Sequence, residues 1–153
     1  MESMGKLRRS HHCCALGREN VGEEVILMGW VLRRRDHGGL IFIDLRDRSR
    51  NMQLVFNPDF SQDVHALTHR LRSVFVISVC GTVVERSSDT INPELPTGKW
   101  ELQVDEITIL NKAKGLPFAL EDADDVDEEL RLTYRYLDLR RPRMLGNFAL
   151  RHK

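Results

Sequence analysis

Cysteine is scarce and poorly placed for cross-linking. The chain has three, an odd count, and Cys13 and Cys14 are neighbours, so no disulfide framework can be read from them. A reducing compartment, the cytoplasm, is the expectation. No apolar run approaches the ~20 residues that cross a bilayer, and no apolar signal segment opens the sequence. Neither a membrane nor a secreted protein is therefore expected. There is no excess of charge either: 23 Lys and Arg stand against 23 Asp and Glu. Aromatic residues make up only 7%, so one that falls on a polar face is informative.

The charge balance is a sum of opposed blocks. Residues 121–130 hold 7 acidic side chains and no basic one, whereas residues 131–153 hold 7 basic and 1 acidic. A local basic surface survives a neutral total. At 153 residues the chain suits one domain, or one domain and part of another.

The informative stretch runs from Gly29 to Phe56. Val25 to Arg35 reads as a first strand, apolar on both parities, which fits a barrel strand buried on both faces or one bent at Gly29. Asp36 to Gly39 is a turn, and its glycine pair permits positive φ. Leu40 to Arg46 and Met52 to Asn57 follow as strands. With period 2, Ile41, Ile43 and Leu45 share one face with Met52, Leu54 and Phe56 as core. Phe42 and Gln53 then look outward, beside a cluster of arginines. A lone strand aromatic is more often a satellite core residue, and a triple arginine is often a solvated strand end. Here the face partners of Phe42, Asp44 and Arg46, are charged. An outward ring, a carboxamide and guanidinium groups make a platform for unpaired bases.

Phe60 to Arg72 changes to helical spacing, with Ser61 a candidate cap. His65 and His69 lie at i, i+4 but have no third ligand nearby, and read as a solvated face. His11-His12-Cys13-Cys14 is too compact to wrap one ion and no second pair follows, so an N-terminal arm packed on the barrel is expected over residues 1–20, with Met1 to Gly5 as a flexible start. Val74 to Arg86 and Trp100 to Asn111 return to strand, separated by a loop with Asn92, Pro93 and Pro96 as breakers. Cys80, between valines, reads as a buried thiol. In the last strand Trp100, Leu102 and Val104 point one way and Glu101 and Gln103 the other.

The expected class is mainly β: a five-stranded OB-fold Greek-key barrel over residues 21–115, with one helix between strands 3 and 4. Such barrels bind single strands or sugars across strands 2 and 3. Residues 116–141 read as an acidic linker and hinge. At 142–153 Pro142 can open a short C-terminal helix that belongs to a further domain, so the chain is expected to be a fragment.

Four segments resemble the N-terminal part of bacterial-type aspartyl-tRNA synthetases: VGEEVILMGWVLRRRDHGGLIFIDLRDRS, NMQLVF, NPELPTGKWEL and LRLTYRYLDLRRPRM. The resemblance spans about residues 20–153. The asparaginyl and lysyl enzymes share the barrel and match less well. It implies an anticodon-binding OB domain, a hinge and the first helix of a class II catalytic domain. It implies that the full enzyme joins aspartate to its tRNA with ATP and Mg²⁺ as a homodimer, and that its catalytic motifs are outside this chain, which itself holds no cofactor or metal. By position Phe42 would stack on an anticodon base, Gln53 would bond the central uridine, and Arg33 and Arg35 would contact the loop. Arg86, Thr90 and Glu101 fall at further anticodon contacts, with Glu101 suited to guanine N1 and N2. Two departures stand out. Arg50 fills a turn position where the family has glycine, so Asn51 is expected to take positive φ. Thr90 replaces the more usual asparagine. A free-standing single-strand binder, or a fragment whose main contact is a dimer partner, are the other readings of the same residues.

Overall fold

The computed structural model describes residues 7–93, 95–120 and 125–152. The chain divides into two compact units, Met1–Ala113 and Lys114–Lys153. In the first, β1 (Glu24–His37), β2 (Leu40–Arg46), β3 (Asn51–Phe56), β4 (Val76–Glu85) and β5 (Trp100–Asn111) close into a barrel ordered β1-β2-β3-β5-β4. All pairings are antiparallel except β3 with β5. α1 (Gln62–Thr68) lies between β3 and β4. This is the OB-fold order expected from the sequence.

Alternation builds the core. Ile41, Ile43, Leu45, Met52, Leu54 and Phe56 are each at most 1% exposed, and burying such a side chain stabilises by about 1.5–3 kcal/mol. Cys13 and Leu16 of the N-terminal arm join the same cluster. The arm therefore packs on the barrel. The start at Met1 to Gly5 lies outside the described residues.

The break in β1 is at Leu32 rather than Gly29. Val31 pairs with Leu45 and Arg33 with Asp44, so Leu32 has no partner on β2. Val31 points inward, and strict alternation would send Arg33 and Arg35 inward with it. The extra residue reverses the parity, and both arginines reach the outer face. Gly29 serves a different need: a Cβ there would lie 2.4 Å from the Arg46 carbonyl oxygen.

The two hairpin turns use different chemistry. Gly38 and Gly39 have φ of +61° and +95° between the paired His37 and Leu40, a two-residue turn that matches strand twist. In the next turn Asn51 does not take positive φ; among the described residues Val74 is the one non-glycine that does. Asp47 closes that turn instead. Its Oδ1 accepts from Ser49 N–H at 2.6 Å and Arg50 N–H at 3.2 Å, and its own N–H donates to the Arg50 carbonyl at 3.1 Å. Asn51 is thereby free to begin β3.

Two more expectations change. Ser61 caps α1 by accepting from Val64 N–H at 3.4 Å, but Phe60 is exposed in the turn before it. Cys80 is half-exposed rather than buried, because it pairs across the outer face with Ile26 and Glu106. Burial and the nearby Glu24, Glu106 and Asp105 carboxylates raise its pKa.

The second unit is a small helical cluster around Phe118, Leu120 and Leu137. Asp127 caps α2 (Glu128–Thr133) by accepting from Glu129 N–H at 2.8 Å. α3 (Arg135–Asp138) follows, and α4 (Pro142–His152) opens on Pro142. Of the acidic run expected as a linker, residues 121–124 lie outside the described residues, and Asp127 to Glu129 initiate α2. Among the described residues no helix is long and apolar enough to cross a membrane.

Candidate nucleic-acid interface

Strand register lays two rows across the outer wall. Arg33, Asp44, Gln53 and Glu101 stand side by side on β1, β2, β3 and β5. One step along are Arg35, Phe42, Val55 and Gln103. Directly opposed residues share a face, so Phe42 and Gln53 look the same way. The outward parity read from the sequence is correct.

Gln53 is nevertheless only 7% exposed, because its neighbours close over it. Arg35 Nη2 donates to Asp44 Oδ1 at 2.7 Å and to Gln53 Oε1 at 3.2 Å. Gln53 Nε2 donates to Glu101 Oε2 at 2.9 Å. Arg86 Nε lies 3.7 Å from the same Glu101 oxygen. Positive and negative groups thus alternate along the chain of contacts Asp44, Arg35, Gln53, Glu101 and Arg86, with the carboxamide at its centre.

Arg86 is 5% exposed. Its Nε donates to the Trp100 carbonyl at 3.1 Å and its Nη1 to the Thr90 carbonyl at 3.4 Å. Burial lowers its pKa, while Glu101 and Asp44 oppose that and Arg35 adds to it. A guanidinium remains charged under such a shift. Among the described residues its Nη2 is buried without a hydrogen-bond partner, as is Arg35 Nε. Phe42 is half-buried, and its ring meets His37 edge-on at 5.9 Å.

Of the residues singled out from sequence, Arg35, Phe42, Gln53, Arg86 and Glu101 come together. Arg33 is exposed at the end of the first row. Thr90 enters only through its carbonyl; its hydroxyl pairs with that of Ser87 at 2.9 Å. Sequence reasoning missed Asp44 as the anchor of Arg35, although its place two residues from Phe42 on β2 was a usable signal. Among the described residues no group of three or more His, Cys, Asp or Glu is placed to hold a metal ion.

A half-buried ring, a carboxamide and guanidinium groups share the wall of a closed five-strand barrel, the architecture of the OB-fold. Residues 25–110 match the tRNA anticodon family, described as an OB-fold nucleic acid binding domain, and the chain belongs to that family. It is 58% identical over 153 residues to the aspartate–tRNA(Asp/Asn) ligase of Desulfotalea psychrophila, covering 100% of this chain and 25% of that protein. It is 51% identical over 147 residues to the aspartate–tRNA ligase of Geobacillus kaustophilus, covering 96% and 25%. The chain therefore spans about a quarter of the curated relatives it matches. The aspartyl-tRNA synthetase structure from Entamoeba histolytica superposes with a TM-score of 0.80 at 16% identity, over 95% of this chain and 35% of that one; this likeness carries the fold alone.

Proposed function

We propose that the chain is the anticodon-reading domain of an aspartate–tRNA ligase, and that its partner is the anticodon stem-loop of the aspartate tRNA. The observation that carries this reading is the Gln53 carboxamide held between Arg35 and Glu101, one register step from the Phe42 ring. Phe42 stacks on a loop base. Gln53 offers a donor and an acceptor to the central uridine. Glu101 accepts from guanine N1 and N2. Arg33 and Arg35 contact the anticodon loop. Arg86, with its side chain 3% exposed, acts by holding Glu101 rather than by lying open to RNA, and Thr90 supports Arg86. The proposal extends to a whole enzyme of which this chain forms one part: a cytoplasmic homodimer that aminoacylates tRNA with ATP and Mg²⁺.

The test is a titration of the 153-residue chain with anticodon stem-loops that differ only in the central base. Replacing uracil is expected to weaken binding about tenfold or more, the scale of one lost bidentate contact. Equal affinities would leave a sequence-blind single-strand binder and defeat the proposal.

A further inference from the structure

A carboxamide carries a donor and an acceptor, so turning it through half a revolution reverses the order it presents. Uracil offers an acceptor at C4 and a donor at N3, and cytosine offers the reverse. A glutamine free to turn accepts either base.

We infer that the Asp44–Arg35 pair removes this freedom, and so makes the reading of a pyrimidine at Gln53 selective; the inference rests on the functional reading above. Arginine has only donors, and an ionised glutamate only acceptors. Arg35 therefore fixes Oε1 on its own side at 3.2 Å, and Glu101 fixes Nε2 on the other at 2.9 Å. A reversed amide would set NH₂ against the guanidinium and oxygen against the carboxylate. Arg35 keeps its place because the same Nη2 is anchored on Asp44 Oδ1 at 2.7 Å. Arg86, 3.7 Å from Glu101, steadies the far end. The cover over Gln53, 7% exposed, leaves little room for rotation. Asp44 acts through Arg35, so it is a positioning residue. The discrimination resides in the clamp, and the amide supplies only the hydrogen-bonding groups.

Two variants test it: Asp44→Asn, which keeps shape and removes the anchoring charge, and Arg35→Lys, which keeps charge and loses the planar fork. Each is titrated with stem-loops carrying uracil or cytosine at the central position. The wild-type chain is expected to prefer uracil over cytosine about tenfold or more, and each variant to bring that ratio about fivefold closer to unity. Affinity for the preferred base falls by less than the ratio does. A second readout needs no RNA. In ¹H–¹⁵N spectra the Gln53 side-chain amide pair of the wild type resonates away from free-glutamine positions and exchanges slowly, and Asp44→Asn moves it toward them. A wild-type chain without a central-base preference overturns the functional reading itself. A preference that survives both substitutions, with the Gln53 amide signals unmoved, overturns the clamp alone.

Discussion

Asp47 Oδ2 accepts the main-chain N–H of Cys13 at 2.9 Å and joins residues 34 positions apart. The same carboxylate accepts from Ser49 Oγ and from the N–H groups of Ser49 and Arg50, and lies 3.0 Å from His12 Nδ1. One side chain therefore closes the β2–β3 turn and seats the N-terminal arm on the core. Asp47→Ala leaves the buried Cys13 N–H without its acceptor and frees the turn. The expected cost is about 2–4 kcal/mol, or a Tm lowered by roughly 5–15 °C for a chain of this length. Calorimetry measures it. A shift within 1–2 °C would mean that the arm is seated by Cys13 and Leu16 packing alone.

The same carboxylate sets an acid limit. Burial on its own raises the Asp47 pKa, but the Ser49 hydroxyl and the Cys13, Ser49 and Arg50 N–H groups more than offset it and hold the group well below the usual carboxylate range. A depressed folded pKa means that the unfolded chain binds more protons, so unfolding free energy rises with pH. The contribution is complete above the unfolded value near 3.9 and is lost as pH falls through the depressed one. Denaturant midpoints are expected to drop on acidification below about pH 4, and less steeply in Asp47→Asn. Parallel slopes in the two proteins would assign the acid loss to other groups.

Three cysteines in three settings should label at three rates. Cys13 is 0% exposed, and burial followed by the Asp47 charge pushes its thiol up to about 12. Cys80 is half-exposed with a raised pKa, and Cys14 is exposed. The thiolate is the reacting form. Iodoacetamide on the native chain at pH 8 should therefore modify Cys14 first, Cys80 slowly and Cys13 only after unfolding. Peptide mass spectrometry reads the order. Early modification of Cys13 would mean that the arm leaves the barrel readily.

Much of the barrel was legible because its strands alternate cleanly. The limits of β2 and β5 follow from composition, and the outward parity of Phe42, Gln53 and Glu101 follows from period 2 alone. What was hidden depends on contacts between strands. The parity of Arg33 and Arg35 turns on one unpaired residue, and no local feature at Leu32 announces it. Asn51 had the right character for positive φ, but the Asp47 carboxylate closes the turn by accepting three hydrogen bonds, from the Ser49 N–H and hydroxyl and the Arg50 N–H. Arg86 was expected at an anticodon contact, yet its side chain is buried, received by the Thr90 carbonyl four residues on and the Trp100 carbonyl at the start of β5. Gln53 read as open and is covered, since alternation reports direction and says nothing of what lies over a face.

That reading of β1 has a direct test. Deleting Leu32 restores strict alternation and turns Arg33 and Arg35 toward the apolar interior, where an unpaired charge costs several kcal/mol. The deletion variant is expected not to fold, whereas Leu32→Ala, which keeps the extra residue, should lose no more than about 1–2 kcal/mol. Circular dichroism and amide dispersion distinguish them. A folded deletion variant with intact RNA binding would show that the bulge does not set the outward parity.

Phe42 and Arg33 should fail in different ways. Every base has a face on which a ring can stack, so stacking supplies affinity without choosing a base. Phe42→Ala is expected to weaken all stem-loops by about 1–3 kcal/mol and to leave the ratio between central bases nearly unchanged. Arg33 is exposed at the end of the polar row, where it is placed to neutralise phosphate. Arg33→Gln should weaken binding evenly across sequences and reduce the slope of log affinity against log salt by about 1. Anisotropy titrations at several salt concentrations read both quantities from one set of curves. The assignment fails if Phe42→Ala changes base choice more than affinity, or if Arg33→Gln leaves the salt slope where it was. In the first case the ring belongs to the reading of the base edge. In the second, the loop backbone passes over another part of the barrel.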